Sequence, residues 1–161
     1  LNCAFEASAR RKGMAPQILV PVDGSPLSKK ALSVALEEHP ESTIRLLHVI
    51  DPTEPGYSYV SLGVDAYDTP RHGSDEWYDR AEEFAQEVFD EAREQASDET
   101  ELTTETLVGR PDREIVRYIE THDIDHVIVG SHGRDRKSLA LVGGVAEAVV
   151  FRSPVRVTLV K

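Results

Sequence analysis

The chain has 161 residues, of which 40% are hydrophobic and 29% charged, and its formal net charge at pH 7 is -11. This length and balance predict one globular domain that buries a core of its own. The excess of carboxylates disfavours nucleic-acid backbones and anionic membranes as partners, because both carry negative charge. A membrane span needs roughly 18 consecutive apolar residues, which no stretch approaches, and the first residues lack the apolar core of a secretory signal. We therefore expect a cytoplasmic protein.

The choice of basic residues and the single cysteine bear on the environment of the protein. Lysine occurs only at positions 12, 29, 30, 137 and 161, and arginine supplies the remaining positive charge. An acidic, lysine-poor surface is typical of halophilic proteins, although an ordinary acidic cytoplasmic protein is the alternative. Cys3 cannot form an internal disulfide, which fits a reducing compartment. Residues 1–13 are interpreted as a disordered extension or tag remnant, because Met14 leads directly into a predicted strand, and a single domain is expected over 14–161.

The first part of the chain predicts two strands and the helix between them. Residues 17–22 (QILVPV) and 43–50 (TIRLLHVI) are short apolar runs rich in β-branched residues, which favours buried strands. Ser25 suits the N-cap of a helix and Pro26 suits its first position. The inward stripe of this helix is predicted to be Leu27, Ala31, Val34 and Ala35.

A loop and a long acidic helix follow. Residues 51–73 contain prolines, glycines and tyrosines without helical period and predict an extended loop. Ser74 suits the cap of a helix that ends near Ser97. The buried face of that helix is predicted to carry Trp77, Ala81, Phe84, Val88 and Ala92.

The second half of the chain alternates in the same way. Three further stretches predict strands: 102–108 (LTTETLV), 126–130 (HVIVG) and 155–161 (VRVTLVK). One helix is predicted to begin at Pro111 and another to span roughly 143–152. The helix that begins at Pro111 is predicted to face the core with three residues: Ile115, Tyr118 and Ile119. This alternation, with continuous apolar strands, predicts an α/β fold in which a mostly parallel sheet has helices on both faces.

The sheet predicts where a ligand would bind. In such folds, ligands lie beyond the carboxyl ends of the strands, where the strand order reverses. Three stretches directly follow strands and so meet at that edge: PVDGS after the first, VIDP after the second and GSHG after the strand at 126–130. We therefore expect a binding cleft there.

The segment VGSHGRDRKSLALVGG (129–144) has two interpretations. Glycines let backbone N–H groups approach a phosphate, and Gly143 and Gly144 would open a helix whose amino end carries unsatisfied donors. Three cationic residues lie in the same segment: Arg134, Arg136 and Lys137. Alternatively, Gly130 and Gly133 only shape a turn and the cations are solvated. The spacing alone leaves both interpretations open.

Patterns for catalysis and for metal binding are incomplete. GRDRKS lacks the glycine that directly precedes the lysine of a Walker loop, because Arg136 stands there, and no GxGxxG follows the first strand. Ser131 does not stand in a nucleophile elbow, and His122 and His126 lack metal-ligand spacing. Slow nucleotide hydrolysis could accompany binding, but no catalytic residue and no metal ligand is predicted.

Five stretches together resemble the universal stress protein family, in the right order and over about residues 17–161: ILVPVDGSPLSKKAL, LLHVID, VGRPDREIVRYI, HVIVGSHGR and GGVAEAVVFRSPVRVTLVK. The most specific part is Gly, two residues, Gly, nine residues, Gly, found at Gly130, Gly133 and Gly143. The resemblance implies a five-stranded, three-layer, Rossmann-like fold of the adenine nucleotide alpha hydrolase-like type. It also implies a homodimer joined through the last strand, 155–161, and a bound adenine nucleotide, ATP or AMP, with or without magnesium. A further protein partner is unknown.

The resemblance also implies a set of nucleotide-binding residues. These are Val22, Asp23, Ile44, Gly109, Gly130, His132, Gly133, Gly143, Gly144 and Val145. The first three would contact the adenosine, Gly109 would border the sugar, and the others would surround the phosphates. Asp23 could instead only complete its turn, Ile44 could be plain core, and His132 could be a surface turn residue.

Two positions depart from the ATP-binding branch of the family. In that branch, the glycine that matches Gly143 is followed by Ser or Thr, with another hydroxyl residue two positions later, whereas Gly144 and Ala146 stand here. Loss of two hydrogen bonds worth ~1 kcal/mol each would weaken binding ~10-fold to ~100-fold. Two hypotheses therefore stand. The protein is a nucleotide-binding stress protein, in which the nucleotide orders the 51–73 loop, or a dimeric interaction module that has lost the nucleotide.

Overall fold

The computed structural model describes residues 15–54, 70–133 and 142–161 of the chain. In chain order, the elements there are β1 (Gln17–Pro21), α1 (Pro26–Glu38), β2 (Thr43–Ile50), α2 (Asp75–Gln95), β3 (Leu102–Val108), α3 (Pro111–Thr121), β4 (His126–Gly130), α4 (Gly144–Arg152) and β5 (Arg156–Val160). The predicted strands and helices are confirmed, with ends that shift by a residue or two. The extension at 1–13, most of the loop at 51–73 and the cations at 134, 136 and 137 lie outside the described residues. Among the described helices, none is long and apolar enough to cross a membrane.

The strands form one five-stranded parallel sheet in the order β3-β2-β1-β4-β5. The central strand β1 pairs with β2 on one side and with β4 on the other, so that Ile18 lies between Ile44 and His126. The chain therefore winds outward from β1 to β3, returns to the other side of β1 and winds outward again to β5. The strand order reverses between β1 and β4, which is where open α/β sheets form a crevice at their carboxyl ends.

Each face of the sheet carries its own core. Because side chains alternate along a strand, Ile18 and Val20 of β1 pack in the cluster covered by α1 and α2, whereas Leu19 packs in the cluster covered by α3 and α4. All three side chains are at most 1% exposed. Burial of each contributes about 1.5–3 kcal/mol. The three-layer α/β architecture predicted from the sequence is confirmed, and the described sheet is wholly parallel.

The two predicted serine caps begin their helices. The Ser25 hydroxyl accepts a hydrogen bond from the backbone N–H of Ser28 at 3.2 Å, and the Ser74 hydroxyl accepts one from the N–H of Trp77 at 3.2 Å. Replacement of such a cap by alanine typically costs ~1 kcal/mol. In both helices, the hydrogen bond between the serine cap and the first turn therefore stabilises the amino end of the helix.

The buried stripes of α1 and α2 differ in part from the prediction. In α1, Ala31 and Ala35 are buried as predicted, but Leu27 and Val34 are only half-buried, and Ser28 and Leu32 are buried instead. Ser28 tolerates burial because its hydroxyl donates to the Ser25 carbonyl at 3.0 Å. In α2, the predicted Phe84 is only half-buried, and two residues outside the prediction are buried, Ala85 and Phe89.

His126 makes the stability of the fold sensitive to acid. Its side chain is 7% exposed at the start of β4, its Nε2 lies 2.9 Å from the Thr158 hydroxyl, and its ring meets the ring of His39 edge to face. Burial lowers the pKa of His126, the charges of His39 and Arg156 lower it further, and Glu38 opposes them.

We expect the free energy of unfolding to fall as the pH drops below about 6.5, because the unfolded chain then binds a proton at His126 more readily than the folded chain. One such group changes the free energy by at most ~1.4 kcal/mol per pH unit. Urea midpoints measured from neutral to mildly acidic pH should therefore fall less in His126→Gln than in the unmodified protein. Equal slopes would show that His126 does not titrate differently on folding.

Candidate functional site

A cavity of about 730 Å³ lies at the carboxyl ends of β1, β2 and β4, at the edge where the sequence predicts a cleft. This volume is in the usual range for sites that take up a small molecule or cofactor. Its walls are the residues that directly follow these strands, together with the first turns of α3 and α4. The reversal of strand order between β1 and β4 therefore coincides with the cavity.

The inner wall of the cavity is apolar. Val22, Val49 and Val129, each near the end of its strand, are 5–6% exposed and line the cavity. Five further apolar side chains complete the wall: Leu47, Ile115, Val142, Val145 and Ala146. A wall of this kind suits a flat, largely apolar ring system better than an ion.

The first turn of α4 offers hydrogen-bond donors to the cavity. Gly143 is its N-cap, has no side chain with which to cap the helix, and lines the cavity together with Gly144 and Val145. The N–H of Gly143 itself donates to the Ser131 carbonyl at 2.7 Å. The next N–H groups are the ones that a helix leaves without an intrahelical partner, and they carry partial positive charge. This end of the cavity is therefore suited to an anion.

The glycines around the cavity differ in what they do. A Cβ at Gly130 would lie 2.9 Å from the backbone carbonyl carbon of Leu27, so this glycine lets β4 pack closely against α1. A Cβ at Gly143 would lie 3.3 Å from the Ser131 carbonyl oxygen. A Cβ at Gly144 would meet no atom within 4 Å. Gly130 is therefore required by the fold, whereas Gly144 borders open space.

Five carboxylates line the cavity among the described residues. Asp23 lines it, and one carboxylate oxygen accepts a hydrogen bond from the Ser25 N–H at 2.9 Å, which is the turn-forming role that the sequence left open. Asp51 is 7% exposed, and its Oδ1 accepts from the N–H and the hydroxyl of Thr53 at 2.8 and 2.6 Å. Three more acids line the cavity: Glu54, Asp112 and Glu147.

One guanidinium group lies among these acids. Arg110, the N-cap residue of α3, lines the cavity and pairs with Asp112 through two contacts, Nε to Oδ1 at 3.2 Å and Nη2 to Oδ2 at 3.1 Å. This pair offsets part of the positive charge of Arg110. Among the described residues that line the cavity, carboxylates therefore outnumber the arginine.

Two histidines line the cavity at different depths. His48 is 1% exposed, and its Nδ1 lies 2.8 Å from the Val22 carbonyl oxygen. Because a carbonyl oxygen can only accept, this nitrogen carries the proton. His132 is half-buried, with its Nδ1 3.3 Å from the Ser131 hydroxyl. His48 therefore ties the end of β2 to the end of β1 beneath the cavity.

Most of the residues predicted for the site lie around the cavity. Eight of the ten line it: Val22, Asp23, Gly130, His132, Gly133, Gly143, Gly144 and Val145. Ile44 does not, and the prediction for it is wrong. It is 0% exposed at the amino end of β2, the opposite end of the strand from the cavity, and packs in the core. The residue of β2 that lines the cavity near its carboxyl end is Val49.

Gly109 has a structural role beside the cavity. It does not line the cavity, whereas the next residues, Arg110 and Pro111, do. Its φ is +153°, its N–H donates to the Ile50 carbonyl at 2.9 Å, and a Cβ would lie 2.7 Å from Cγ of Glu114. Gly109 therefore shapes the turn from β3 into α3.

Several lining residues were not predicted from the sequence. The stretch VIDP already indicated the carboxyl end of β2 and could have selected Val49 and Asp51. The role of His48 depends on its contact with Val22 in another part of the chain, for which the sequence carries no local signal. Arg110 pairs locally with Asp112, but its place in the cavity depends on how α3 packs beside α4. Over the described ranges, no three His, Cys, Asp or Glu side chains form a group that could hold a metal ion.

Comparison with known proteins identifies the family. The model of the universal stress protein family matches residues 14–161. Universal stress protein MJ0577 of Methanocaldococcus jannaschii is 30% identical in an alignment of 165 positions that covers 92% of this chain and 96% of that protein. The solved structure of MJ0577 superposes with a TM-score of 0.74 at 28% identity, covering 92% of this chain and 97% of that one.

Two solved structures at lower identity share the fold. A universal stress protein in complex with cAMP has a TM-score of 0.59 at 22% identity, with 92% of this chain and 99% of that chain covered. The universal stress protein from Archaeoglobus fulgidus in complex with dAMP has a TM-score of 0.58 at 20% identity, with 91% and 98% covered. The family match over nearly the whole chain and the shared five-stranded architecture lead to one conclusion: this chain belongs to the universal stress protein family.

Proposed function

We propose that this universal stress protein binds an adenine nucleotide, ATP or AMP, in the cavity at the carboxyl ends of β1, β2 and β4, and acts as a regulatory dimer in a stress response. The observation that carries the proposal is the uncapped first turn of α4 at one end of a cavity whose inner wall is apolar. An apolar wall and a cluster of backbone donors are what a base and a phosphate group require.

The adenosine would lie against the strand ends. Val22, Val49 and Val129 present apolar surface to the faces of the base. Asp23 lies beside them, and a carboxylate accepts hydrogen bonds from ribose hydroxyls, as acids at the ends of β-strands do in related α/β folds. A carboxylate has about four acceptor sites, so the bond from Ser25 does not prevent a further one.

The phosphate would lie at the amino end of α4. Its first-turn N–H groups, reached past Gly143 and Gly144, donate to phosphate oxygens, and the helix dipole favours negative charge there. If magnesium accompanied ATP, it would offset part of the phosphate charge, and the carboxylates of Asp51 and Glu147 are oxygen ligands of the kind that this ion prefers. The solved relatives with cAMP and dAMP hold adenine nucleotides, which supports the same class of ligand here.

The dimer would form along β5. This strand is an edge of the described sheet, and Val157 and Leu159 on it are only half-buried. The side chains of Val150 and Phe151 on the adjacent helix α4 are 42% and 80% exposed. An edge strand beside exposed apolar side chains is a favourable surface for pairing with a second copy. Such pairing would bury the edge of β5 and the exposed apolar side chains of α4.

A second candidate function is a dimeric interaction module without a nucleotide. It is favoured by the absence of a hydroxyl at Gly144 and Ala146 and by the carboxylates that line the cavity. These features weaken binding of a highly charged ligand and leave the dimer surface unchanged. The two functions therefore differ in one measurable property, the affinity for an adenine nucleotide.

Calorimetric titration of nucleotide-free protein with AMP and with ATP, with and without magnesium, tests the proposal. We expect saturable binding with a dissociation constant on the order of 1–100 μM. AMP at ~100 times that constant should raise the unfolding free energy by ~2.7 kcal/mol. The titrations should be repeated in molar KCl, because the acidic composition is also typical of halophilic proteins. No heat and no thermal shift with either nucleotide under any of these conditions would favour the second candidate.

A further inference from the structure

We infer that the cavity selects adenosine monophosphate over the diphosphate and triphosphate, an inference that rests on the proposed adenine-nucleotide site. The first turn of α4 offers backbone donors suited to one phosphate group, and the Asp, Glu, Arg and Lys side chains of the described lining are five carboxylates and one arginine. A second and a third phosphate would therefore gain few hydrogen bonds and would meet carboxylates.

Among the residues that the structure describes, the backbone donors for a phosphate group are concentrated in one helical turn. At Gly144 there is no side chain, and a Cβ there would face open space. Ala146 is 3% exposed and packs in the core beneath α4, so neither residue supplies a side-chain donor. In the described lining, the backbone N–H groups in the first turn of α4 are therefore the main donors beside the side chains of Arg110 and His132, and they match the oxygens of a single phosphate group.

Carboxylates line the same cavity as that turn. Glu147 is exposed and lines the cavity one helical turn beyond Gly143, whose carbonyl accepts its N–H at 2.9 Å. Asp112 occupies the first turn of α3, which packs beside α4 on the same face of the sheet. Asp51 and Glu54 line the same cavity from the segment after β2. The β- and γ-phosphates would therefore extend toward like charge.

The arginine of the cavity only partly compensates for these acids. Arg110 is the only arginine or lysine among the described lining residues, and both of its contacts with Asp112 are hydrogen-bond contacts at 3.1–3.2 Å. A guanidinium paired in this way attracts a phosphate less strongly than an unpaired one, because the carboxylate offsets its charge. Each added phosphate consequently costs affinity instead of adding to it.

The test is calorimetric titration of the whole protein with AMP, ADP and ATP in EDTA, at about 0.1 M and about 1 M KCl. We expect AMP to bind ~10-fold more tightly than ATP at the lower salt concentration, with ADP between them. The ratio of the ATP to the AMP dissociation constant should shrink at the higher KCl concentration, because the Debye length falls from ~10 Å to ~3 Å and charge repulsion is screened.

A matched pair of variants locates the cause of the selectivity. Glu147→Gln removes a carboxylate from the cavity and should narrow the ratio of ATP to AMP dissociation constants ~3-fold. Glu120→Gln removes the same charge from the last turn of α3, outside the cavity lining, and should leave the ratio unchanged. Equal affinities for AMP and ATP in EDTA, or the same ratio in both variants, would overturn the inference while leaving the nucleotide site intact. Failure of every nucleotide to bind would instead refute the proposed function, and the inference with it.

Discussion

Gly130→Ala is expected to destabilise the protein by about 1–3 kcal/mol, in the range typical of overpacking. The new Cβ would lie 2.9 Å from both the carbonyl carbon and the Cβ of Leu27 and 3.0 Å from its carbonyl oxygen, atoms that cannot move without shifting α1. For a domain of this size, each 1 kcal/mol lowers the melting temperature by roughly 2–4 °C. Thermal unfolding followed by circular dichroism measures the change.

Gly144→Ala is the matched control for this prediction. It makes the same chemical change at a glycine whose Cβ would meet no atom within 4 Å and that already occupies the first position of α4. Alanine is the better helix former by up to about 1 kcal/mol, so stability should stay the same or rise slightly. Equal losses in the two variants would show that the close packing of β4 on α1 does not constrain Gly130. A substitution at Gly130 therefore tests the fold first and nucleotide binding only indirectly.

Gly144→Glu is expected to weaken binding of AMP by ~10-fold to ~100-fold without unfolding the protein. A carboxylate at this position competes for the donors of the first turn of α4 and repels the phosphate. At ~6 Å and an effective dielectric constant of ~20–40, a pair of unit charges repels by ~1.4–2.8 kcal/mol, which corresponds to this loss. An acid in the first turn of a helix is itself favourable, so the fold is preserved. Calorimetric titration with AMP gives the affinity.

Gly144→Gln separates charge from size at the same position. Glutamine has nearly the volume of glutamate and no negative charge. The dissociation constant of the Gly144→Gln variant for AMP should therefore stay within ~3-fold of that of the unmodified protein. If Glu and Gln weakened AMP binding equally, steric exclusion and not the phosphate position would explain the result. If neither variant changed the affinity, the phosphate would not lie at the first turn of α4.

The fold was largely predictable because the local signals in the sequence agree with one another. Short β-branched runs such as residues 126–130, serine caps such as Ser25 and Ser74, and proline at the first helical position each specify one element. Parallel sheets then place all strand ends on one edge, which located the cleft. The rotation of α1, which buries Leu32 instead of Val34, was not predictable, because it depends on how α1 packs on the sheet beside α2.

The sequence predicted those site residues whose place in the cavity is set by their position at the end of a strand or the start of a helix. It did not predict those whose place depends on how the elements pack. The glycines at 133, 143 and 144 line the cavity because they lie shortly after β4 or at the start of α4. Ile44 was assigned by matching a position in a family pattern, and the match fell at the wrong end of β2. The direction of the strand, combined with the rule that ligands lie at carboxyl ends, selects Val49 instead.

Chemical-shift mapping by NMR, with isotope-labelled, nucleotide-free protein titrated with AMP, would show directly whether the nucleotide binds in this cavity. We expect saturable shifts of the backbone amides that surround the proposed phosphate position, those of Gly133, Gly143, Gly144 and Val145. Shifts at Val22 and Val49, beside the base, should accompany them. Amides at the opposite edge of the sheet, such as that of Ile44, should not move. Saturable shifts confined to another surface, or no shifts at millimolar AMP, would contradict the assignment of this cavity as an adenine-nucleotide site.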